Sequence, residues 1–562
     1  MKGSGIKTMA KKKTTAKTAV PPPPPRTIDQ FLWDARSLAN AEVPLSTTSA
    51  DLKTLLEGTG ITLDGSQWDA WSHSLTHRLT LIWGPPGTGK TRTLVAVVAG
   101  ACMEALRTGR PLRILVSAFT YKAIDNVLEK LADWAGRAAP SVRMFRLRSG
   151  FKDANPLLPA ESNIVNSPRV PAYRDLKTLI LNPEGVVVVG ATPQQIYNFA
   201  TDKDQANSTI AELFDFIALD EGSQMDVGNS IPPMCAAAAG ARIVVAGDPM
   251  QLSPISSAVM PAGAEAMLGS VYVYLKERFG LETLQRVLEI NYRSNETIVE
   301  FGRMLGYPPR FRANSRDLRI GLTSPLHISP DPPAGWPAEL VWTPEWARVL
   351  DPGVTAVCFH YDDGKSGQSN HFEAQAVASL VWLLRRHLTT GLLNENGLPA
   401  VPPTSHTTDS FWEKGVGIVT PHVAQRGLIT TALQKAFRGA GEDRLIREAI
   451  DTVEKYQGGE RQVMIASFSV GDPDVVAQEE EFLLGLNRFN VMASRARAKL
   501  IVLVSDQLLD HLAADRDVLE ESRAIKAFAH GFCNTPVSLI LPWRDFSSGA
   551  VREARGTIKV RV

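Results

Sequence analysis

The chain has 562 residues, enough for two or three domains, each with its own core. Its apolar content of 44%, charged content of 21% and net charge of +1 are ordinary, and the overall charge gives no argument for a nucleic-acid partner. No run of about 18 apolar residues occurs, which argues against membrane contact. The four cysteines are scattered, so the sequence favours a reducing intracellular location, cytoplasmic or, in a eukaryote, nuclear.

The first 28 residues differ in composition from the rest of the chain. They contain six lysines and Arg26 but no acidic residue, and Pro21 to Pro25 follow the lysines. This composition predicts a disordered basic arm with a stiff polyproline spacer over residues 1–28. Such an arm can add phosphate affinity or act as a localisation signal, or it is only a solvated tail.

The next part of the chain alternates short apolar runs with helical stretches. The strands that it predicts are Leu79–Trp83, Arg113–Ala118, Gly185–Gly190, Asp215–Asp220 and Arg242–Gly247. Near-continuous apolar strands separated by helices indicate an α/β domain with a parallel sheet covered on both faces. We assign residues 29–285 to this domain, with an insertion rich in Pro, Asn and Arg near 136–184.

A second alternation follows and predicts a second α/β domain over residues 286–520. Its predicted strands are Thr355–His360, Val416–Thr420, Val463–Phe468 and Leu500–Ser505. Residues 302–350 carry many Pro and Arg and are expected to form a linker leading into this domain. Residues 521–562 show no informative pattern and are assigned to a C-terminal tail.

The loop after the first predicted strand carries the pattern G-x-x-x-x-G-K-T. It consists of Gly84, Pro85, Pro86, Gly87, Thr88, Gly89, Lys90 and Thr91. The glycines let backbone N–H groups wrap a phosphate at a helix N-terminus, Lys90 neutralises charge, and Thr91 can hold Mg²⁺. The order strand, glycine loop, helix distinguishes it from a chance match, and it predicts binding of ATP or GTP.

Acidic and amide side chains follow two later strands of the first domain. Asp220 at the end of a strand can hold Mg²⁺ through water, and Glu221 can orient or deprotonate an attacking water. Without a phosphate loop elsewhere in the chain, two acidic residues after an apolar run would usually mark only a strand end exposed to solvent. Gln251, in Gly-Asp-Pro-Met-Gln after the next strand, can sense the γ-phosphate, although Gly-Asp-Pro alone is a turn.

The second half of the chain has no phosphate loop but offers two arginines. Arg293 in Asn-Tyr-Arg-Ser and Arg495 in Asn-Val-Met-Ala-Ser-Arg-Ala-Arg can reach a γ-phosphate across a domain interface, where a planar guanidinium fits phosphate oxygens. A lone arginine is usually a surface residue, and only the sequence motifs around these two arginines indicate a catalytic role.

These motifs, in this order, resemble those of superfamily 1 helicases, and more closely the branch containing senataxin, Dna2 and the nonsense-mediated-decay helicase. The resemblance extends from Gln67 to Ser505. It implies two RecA-like P-loop domains clamping one ATP with Mg²⁺, and movement along single-stranded DNA or RNA in the 5′→3′ direction. It also places the catalytic groups at Lys90, Glu221, Gln251, Arg293 and Arg495.

The resemblance assigns further residues to the nucleotide and to the nucleic acid. It implies that Gln67 reads adenine, that Tyr292 stacks near it, and that Gly458 and Glu460 contribute to the nucleotide site. The nucleic-acid contacts that it implies are Thr120, Lys122, Thr192, Thr420 and Thr452.

The chain departs from the family pattern in two respects. Gly222, His422 and Ser494 replace the usual Ala, Tyr and Thr, which leaves the charged groups intact. The stretch before Gln67 is too short for the accessory β-barrel of relatives. Substrate grip is therefore expected to be weaker, or to come from the insertion through Arg143–Arg148, which is otherwise an edge strand.

Three other functions compete with a helicase. An ATPase that remodels protein–nucleic-acid complexes without processive unwinding has the same motifs. A nucleotide-regulated binding module is a second alternative, and it is disfavoured because such a switch need not retain all of Glu221, Gln251, Arg293 and Arg495. A helicase–nuclease fusion is disfavoured because no spare domain of about 100 residues is found. We expect a monomer, and the sequence leaves DNA versus RNA and any protein partner open.

Overall fold

The structure is a computed structural model that describes residues 25–561, apart from 151–153, 202–209, 255–266, 327, 394–403, 457–458 and 546–547. The described part contains two large, mainly parallel sheets with helices on both faces. Its helices include none that is long and apolar enough to cross a membrane.

The first sheet and its helices occupy the N-terminal half of the described chain. Its strands are β1 (Leu79–Trp83), β2 (Leu112–Ser117), β3 (Arg143–Arg148), β4 (Asn163–Val165), β5 (Val186–Gly190), β6 (Phe214–Leu219), β7 (Ala237–Gly247) and β8 (Arg286–Val287). Its helices are α1 (Thr27–Trp33), α2 (Ala35–Asn40), α3 (Ser49–Gly58), α4 (Gly65–Thr76), α5 (Lys90–Thr108), α6 (Tyr121–Ala138), α7 (Pro171–Leu181), α8 (Pro193–Ala200), α9 (Val227–Cys235) and α10 (Val271–Arg278).

All strand pairs in this sheet are parallel, in the order β4-β3-β5-β2-β6-β7-β1-β8. Successive residues of one strand enter different cores: Phe216 packs on one face of the sheet and Ile217 on the other, and both are fully buried. Strands apolar at every position are required where helices cover both faces. The parallel α/β fold predicted for this half is therefore confirmed.

The segment 136–184 is part of this sheet and not a separate insertion. It supplies β3, β4 and α7, and Leu147 and Ile164 join the same core as β5. Arg146 on β3 is buried and ion-paired with Asp125 of α6. A contribution of β3 to substrate grip is thus contradicted at Arg146, because its charge is neutralised inside the domain.

The second sheet follows a short connection. The strands of this half are β9 (Ile290–Asn291), β10 (Arg312–Ala313), β11 (Arg319–Leu322), β12 (Ala356–Tyr361), β13 (Leu388–Leu393), β14 (Val416–Thr420), β15 (Ile450–Thr452), β16 (Arg461–Ser467), β17 (Ala496–Ser505), β18 (Thr535–Arg544) and β19 (Val551–Arg561). Its helices are α11 (Glu296–Leu305), α12 (Glu345–Val349), α13 (His371–His387), α14 (Thr408–Ser410), α15 (Val423–Ala436), α16 (Asp443–Ala449), α17 (Pro473–Gln478), α18 (Glu480–Leu484), α19 (Leu486–Ser494), α20 (Asp506–Asp510) and α21 (Arg516–Ala527).

The larger sheet of this half has the order β15-β14-β16-β17-β12-β19-β18. The strands from β15 to β12 are parallel, and β19 and β18 extend the sheet as an antiparallel hairpin. Residues 521–562, assigned to a tail from the sequence, therefore contain two strands of the second sheet. Prolines obscured the strand pattern of β18, and they are tolerated there because β18 lies at the edge.

The N-terminal boundary also differs from the sequence-based division. α1 begins at Thr27, and both Thr27 and Ile28 are buried against the first sheet. The hydroxyl of Thr27 donates to the carbonyl of Ala238 at 2.9 Å. The last residues assigned to the basic arm thus belong to the domain, whereas residues 1–24 lie outside the described chain.

The fold predicts that the C-terminal hairpin stabilises the second domain. Leu541 on β18 is fully buried, so replacing it with alanine should lower the free energy of unfolding by about 2–5 kcal/mol. Its neighbour Ile540 is 53% exposed, and Ile540→Ala should change that free energy by less than about 0.5 kcal/mol. Urea unfolding followed by tryptophan fluorescence measures both, and equally small losses would contradict the placement of the hairpin.

Candidate nucleotide site between the two sheets

The phosphate loop follows β1 and is closed from behind by the connection between the sheets. Gly87 has φ +73, and a Cβ on it would lie 2.7 Å from Asn291 Oδ1 and 2.7 Å from Arg293 Cβ. The amide of Tyr292 donates to the carbonyl of Gly87 at 2.8 Å, and Asn291 Nδ2 donates to that of Pro86 at 2.8 Å. Only glycine fits here, because the loop is clamped against the residues before α11.

Three neighbouring strands of the first sheet bring the motif side chains together. The phosphate loop follows β1, Asp220 and Glu221 follow β6, and Gln251 follows β7, and these strands lie side by side in the order β6-β7-β1. The carboxyl ends of parallel strands meet at one edge, where α/β sheets bind ligands. The structure brings the motif residues to one edge of the sheet, and their functional roles stay predictions.

Lys90 forms an ion pair with Glu221, with 3.0 Å between Nζ and Oε2. Burial alone would lower the pKa of Lys90, but Glu221, Asp220 and Asp248 outweigh burial and raise it. Burial and the neighbouring Glu221 raise the pKa of Asp220 to about 6. A cation near Asp220 would stabilise its charged form, which suits a metal-binding role.

Glu221 is also set by its backbone, which has φ +51. A non-glycine residue in this left-handed region is strained, and such strain tends to occur at functional sites. Its amide donates to Asp220 Oδ1 at 2.9 Å, and Gln224 Nε2 donates to Glu221 Oε2 at 3.2 Å. The backbone conformation and neighbouring residues of this loop thus orient the Glu221 carboxylate toward Lys90.

Gln251 bridges the two halves of the protein. Its Nε2 donates to Asp248 Oδ2 at 2.8 Å, and its Oε1 accepts from Arg495 Nη2 at 3.4 Å. Asp248 is fully buried, and burial raises its pKa. The glutamine amide is therefore oriented by the first domain and meets an arginine of the second.

The two predicted arginines lie on the same side of the site. Arg293 Nε is paired with Glu460 Oε2 at 2.8 Å, and Arg293 Nη1 donates to the carbonyl of Ser494 at 3.0 Å. Arg495 is 5% exposed, and burial together with nearby Arg293 lowers its pKa to about 10. Two guanidinium groups held this close favour an anion between them.

A cavity of about 670 Å³ joins these groups. Fourteen of the residues that the sequence assigned to ATP or catalysis line it: Gly84, Pro85, Pro86, Gly87, Thr88, Gly89, Lys90, Thr91, Glu221, Gln251, Tyr292, Arg293, Glu460 and Arg495. Gly458 lies outside the described residues.

The two residues implied for adenine differ in their surroundings. Tyr292 is 43% exposed at the cavity wall, and its hydroxyl donates to Asp64 Oδ2 at 2.9 Å. Gln67 is buried, donates from Nε2 to the carbonyl of Thr88 at 2.9 Å and accepts from the amide of Asp64 at 3.1 Å. Gln67 therefore braces the phosphate loop, while its reading of adenine stays a prediction.

The residues predicted to contact nucleic acid are not all on the surface. Thr120 and Lys122 line the nucleotide cavity, and Thr120 also caps α6 by accepting from the amide of Ala123. Thr192 precedes α8 and is half-buried. Thr420 is fully buried and Thr452 is 7% exposed, opposite each other on β14 and β15, so direct strand contact by these two is contradicted by their burial.

The sequence missed the residues that orient the predicted ones. Asn291 Oδ1 accepts from the amides of Arg293 and Ser294, each at 2.7 Å, and so holds the arginine in place. Asp248 orients Gln251 in the same way. Both stand inside the quoted motifs, but a one-dimensional pattern does not say which polar residue faces the ligand and which faces its neighbour.

The site fits a nucleoside triphosphate by several observations. Arg495 Nε is buried and has no hydrogen-bond partner among the described residues, so it can donate to an added acceptor. The cavity is wide enough for a nucleotide, and cations line it opposite the phosphate loop. Near Asp220 and Thr91 the described chain has no cluster of three acidic, His or Cys side chains. A Mg²⁺ ion that shares its coordination with phosphate and water needs no such cluster.

The clamp on the phosphate loop predicts that Gly87→Ala weakens nucleotide binding. The new Cβ would clash with Asn291 and Arg293 and displace the loop, lowering the affinity for a fluorescent ATP analogue by about tenfold or more, on a scale where 1.4 kcal/mol is tenfold. Gly60→Ala is the control, because Gly60 also has positive φ, +89, but nothing within 4 Å. Fluorescence titration measures both, and equal affinities would contradict the clamp.

Comparisons with known proteins agree on the family. Two family models described as AAA domain match residues 62–162 and 270–507. The DNA replication ATP-dependent helicase/nuclease DNA2 of Mus musculus is 27% identical over 494 residues, covering 81% of this chain and 39% of the relative. The ATP-dependent helicase NAM7 of Saccharomyces cerevisiae is 25% identical over 466 residues, covering 78% of this chain and 41% of the relative.

The chain thus spans about two fifths of the length of these curated relatives. Among solved structures, the arterivirus nonstructural protein 10 helicase is 13% identical, with 80% of this chain and 64% of that chain covered. Its TM-score of 0.35 is too low to support an argument. The two matched domains, the relatives and the order of the motifs agree, and the chain belongs to the superfamily 1 helicases, in the branch of Dna2 and NAM7.

Proposed function

We propose that this chain hydrolyses ATP between its two sheets and uses the cycle to move along, and to unwind, nucleic acid as a helicase or translocase. The observation that carries this proposal is the contact between Gln251 of the first domain and Arg495 of the second, at the cavity that the phosphate loop lines. A site completed by both domains makes hydrolysis depend on their closure, and closure and opening can drive stepwise movement.

The proposed roles of the nucleotide-binding residues follow from the geometry of the first domain. The amides of the phosphate loop and Lys90 bind the phosphates, with Lys90 exchanging Glu221 for phosphate oxygen. Thr91 and Asp220 would hold Mg²⁺, which when bound neutralises charge on the β- and γ-phosphates. Tyr292, partly exposed at the cavity wall, offers a ring face on which a base can stack.

Glu221 is the proposed group that accepts the proton of the attacking water. Glu221 and Gln251 both line the cavity, and the amide of Gln251 can orient the same water. Arg293 and Arg495 neutralise the charge that develops on the γ-phosphate. An arginine finger accelerates phosphoryl transfer by about 10³–10⁵-fold, so loss of either would stop most turnover.

The proposed path of the nucleic acid follows the carboxyl edge of both sheets. Phe119 follows β2 and Tyr197 follows β5, two strands paired at their ends, and the two side chains are 52% and 43% exposed. Val423, 69% exposed, begins α15 after β14 on the second sheet. Exposed aromatic rings along one edge can stack bases without regard to sequence, as single-strand binding requires.

Single-stranded DNA or RNA is the proposed substrate, and 5′→3′ the proposed direction. The direction rests on the resemblance of the motifs after β6 and β7 to the Dna2 branch, and no single distance in the site encodes it. All four cysteines lie in the described part and are free, which supports an intracellular site of action, cytoplasmic or nuclear. We propose that the chain acts as a monomer.

Replacement of Glu221 tests the chemistry. Glu221→Gln should keep ATP binding, since the phosphate loop is unchanged, and should lower kcat by about 10²–10⁴-fold because the water loses its base. Glu282→Gln is the control, since Glu282 is an exposed carboxylate paired loosely with Lys276 at 3.9 Å. Steady-state hydrolysis and equilibrium ATP binding measure the two effects. Turnover by Glu221→Gln near the wild-type rate would refute this assignment.

Tailed duplexes test the motor. The wild-type protein should show ATPase stimulated by single strands of DNA, RNA or both, and should unwind a duplex that carries a 5′ overhang in the presence of ATP and a trap strand. Opening DNA costs about 1.4 kcal/mol per base-pair step, which one ATP per step can supply. Unwinding confined to the 3′-tailed duplex would refute the direction. Strand-stimulated ATPase without unwinding would make the chain a remodelling ATPase.

A further inference from the structure

A buried tyrosine outside the assigned motifs links the two sides of the nucleotide site. Tyr307 follows α11 and is 3% exposed. Its hydroxyl donates to Asp248 Oδ2 at 2.8 Å and accepts from Asn490 Nδ2 at 2.7 Å. One hydroxyl thus connects the loop after β7 in the first domain to α19 in the second.

The first-domain end of this chain of hydrogen bonds is shared with Gln251. Asp248 Oδ2 accepts both from Tyr307 and from Gln251 Nε2, and its Oδ1 accepts from Trp83 Nε1 at 3.2 Å. The tyrosine therefore helps to place the carboxylate that orients the glutamine. Any shift of Asp248 is passed to Gln251, because both bonds end on one oxygen.

The second-domain end is shared with Arg495. Asn490 lies on α19, which ends at Ser494, immediately before the arginine. Asn490 Nδ2 also donates to the carbonyl of Met250 at 2.6 Å, so one amide nitrogen holds both the loop and Tyr307. The helix that presents Arg495 is thereby fastened to the loop that presents Gln251.

We propose that Tyr307 is a positioning residue that couples the two domains: its hydroxyl aligns Gln251 with Arg495 for hydrolysis. This inference rests on the proposed function. The bonds have a fixed direction, since Asn490 can only donate from nitrogen and the Tyr307 hydroxyl, which accepts from it, must then donate its own hydrogen bond to Asp248. Burial, with Asp248 nearby, raises the pKa of Tyr307 well above its usual value, so the hydroxyl keeps that proton.

The substitution Tyr307→Phe would remove only the polar link. The ring packs against Trp83 and Phe311, with centroids 6.2 and 5.2 Å away, and these contacts do not involve the hydroxyl. Loss of the hydroxyl would leave a buried oxygen of Asp248 with one donor fewer and would deprive Asn490 of one acceptor. A buried polar network is sensitive to the loss of one member.

The test compares two buried tyrosines in the full chain. Tyr307→Phe should lower kcat for strand-stimulated ATP hydrolysis by about 10- to 100-fold, the scale of one hydrogen bond to a charged group, with KM for ATP within about threefold. Tyr274→Phe is the matched control, because Tyr274 is also buried and its hydroxyl donates to the carbonyl of Leu32, at 2.7 Å, within the first domain. This control should keep kcat within about twofold of wild type.

A double-mutant cycle separates coupling from simple destabilisation. Asn490→Ala should lower kcat similarly. The Tyr307→Phe/Asn490→Ala double variant should be no worse than the poorer single variant, because both substitutions break the same relay, the chain of hydrogen bonds from Asn490 through the Tyr307 hydroxyl to Asp248. If the double variant instead lost kcat by the product of the two single losses, the two residues would act independently and the proposal would be overturned. So would a Tyr307→Phe protein with wild-type kcat, even if its unfolding midpoint is lowered.

Hydrogen exchange distinguishes failure of the relay from failure of the proposed function. A wild-type protein without ATPase would refute the function. The relay still predicts that Tyr307→Phe speeds amide exchange both in the loop 248–251 and in α19, whereas Tyr274→Phe does not. Unchanged exchange in either segment would overturn the relay, whatever the ATPase activity.

Discussion

One fully buried carboxylate, that of Asp248, holds the active arrangement together. A buried charge is tolerated only when donors surround it, and here the donors come from different parts of the chain. Trp83 belongs to β1, Gln251 to the loop after β7, and Tyr307 to the segment that follows α11 in the second half of the chain. The requirement to satisfy this one group therefore fixes the loop after β7 relative to the phosphate loop. Through Tyr307 and Asn490 it also fixes α19, the helix that ends immediately before Arg495.

The edge of the first sheet at which the motif side chains meet could be predicted because its signals are local. A glycine loop after β1 and acids after β6 lie at strand ends, and parallel strands bring their ends to one edge whatever the intervening helices do. Tyr307 could not be found in the same way, since Gly-Tyr-Pro is unremarkable in sequence and its hydroxyl gains meaning only from Asp248 and Asn490. The hairpin of β18 and β19 was missed because prolines disguise an edge strand. The resemblance implied that Thr420 contacts nucleic acid, whereas the sheet buries it.

Burial also decides which charges of the site can act. Arg495 is almost fully buried beside Arg293, so its guanidinium is poorly solvated and gains from an anion more than an exposed arginine would. Glu460 is the ion-pair partner of Arg293. Burial alone would raise the pKa of Glu460, but the nearby arginine outweighs burial and lowers that pKa. Arg293 therefore has a carboxylate partner on the second domain, while Arg495 contacts the neutral amide of Gln251. The positive charge of Arg495 is therefore less neutralised than that of Arg293, and Arg495 should attract a phosphate group more strongly.

The ion pair between Lys90 and Glu221 then has a consequence for the order of events. While Lys90 donates to Glu221 Oε2 at 3.0 Å, that carboxylate oxygen is engaged by the ammonium and not by an attacking water. A triphosphate would compete for the same ammonium and free the carboxylate to act on water. Glu221 would thus become available to the water only after the phosphates have arrived, and Gln251 would align the water only when the second domain has brought Arg495 into contact. Hydrolysis would require both events, and each depends on a different domain of the chain.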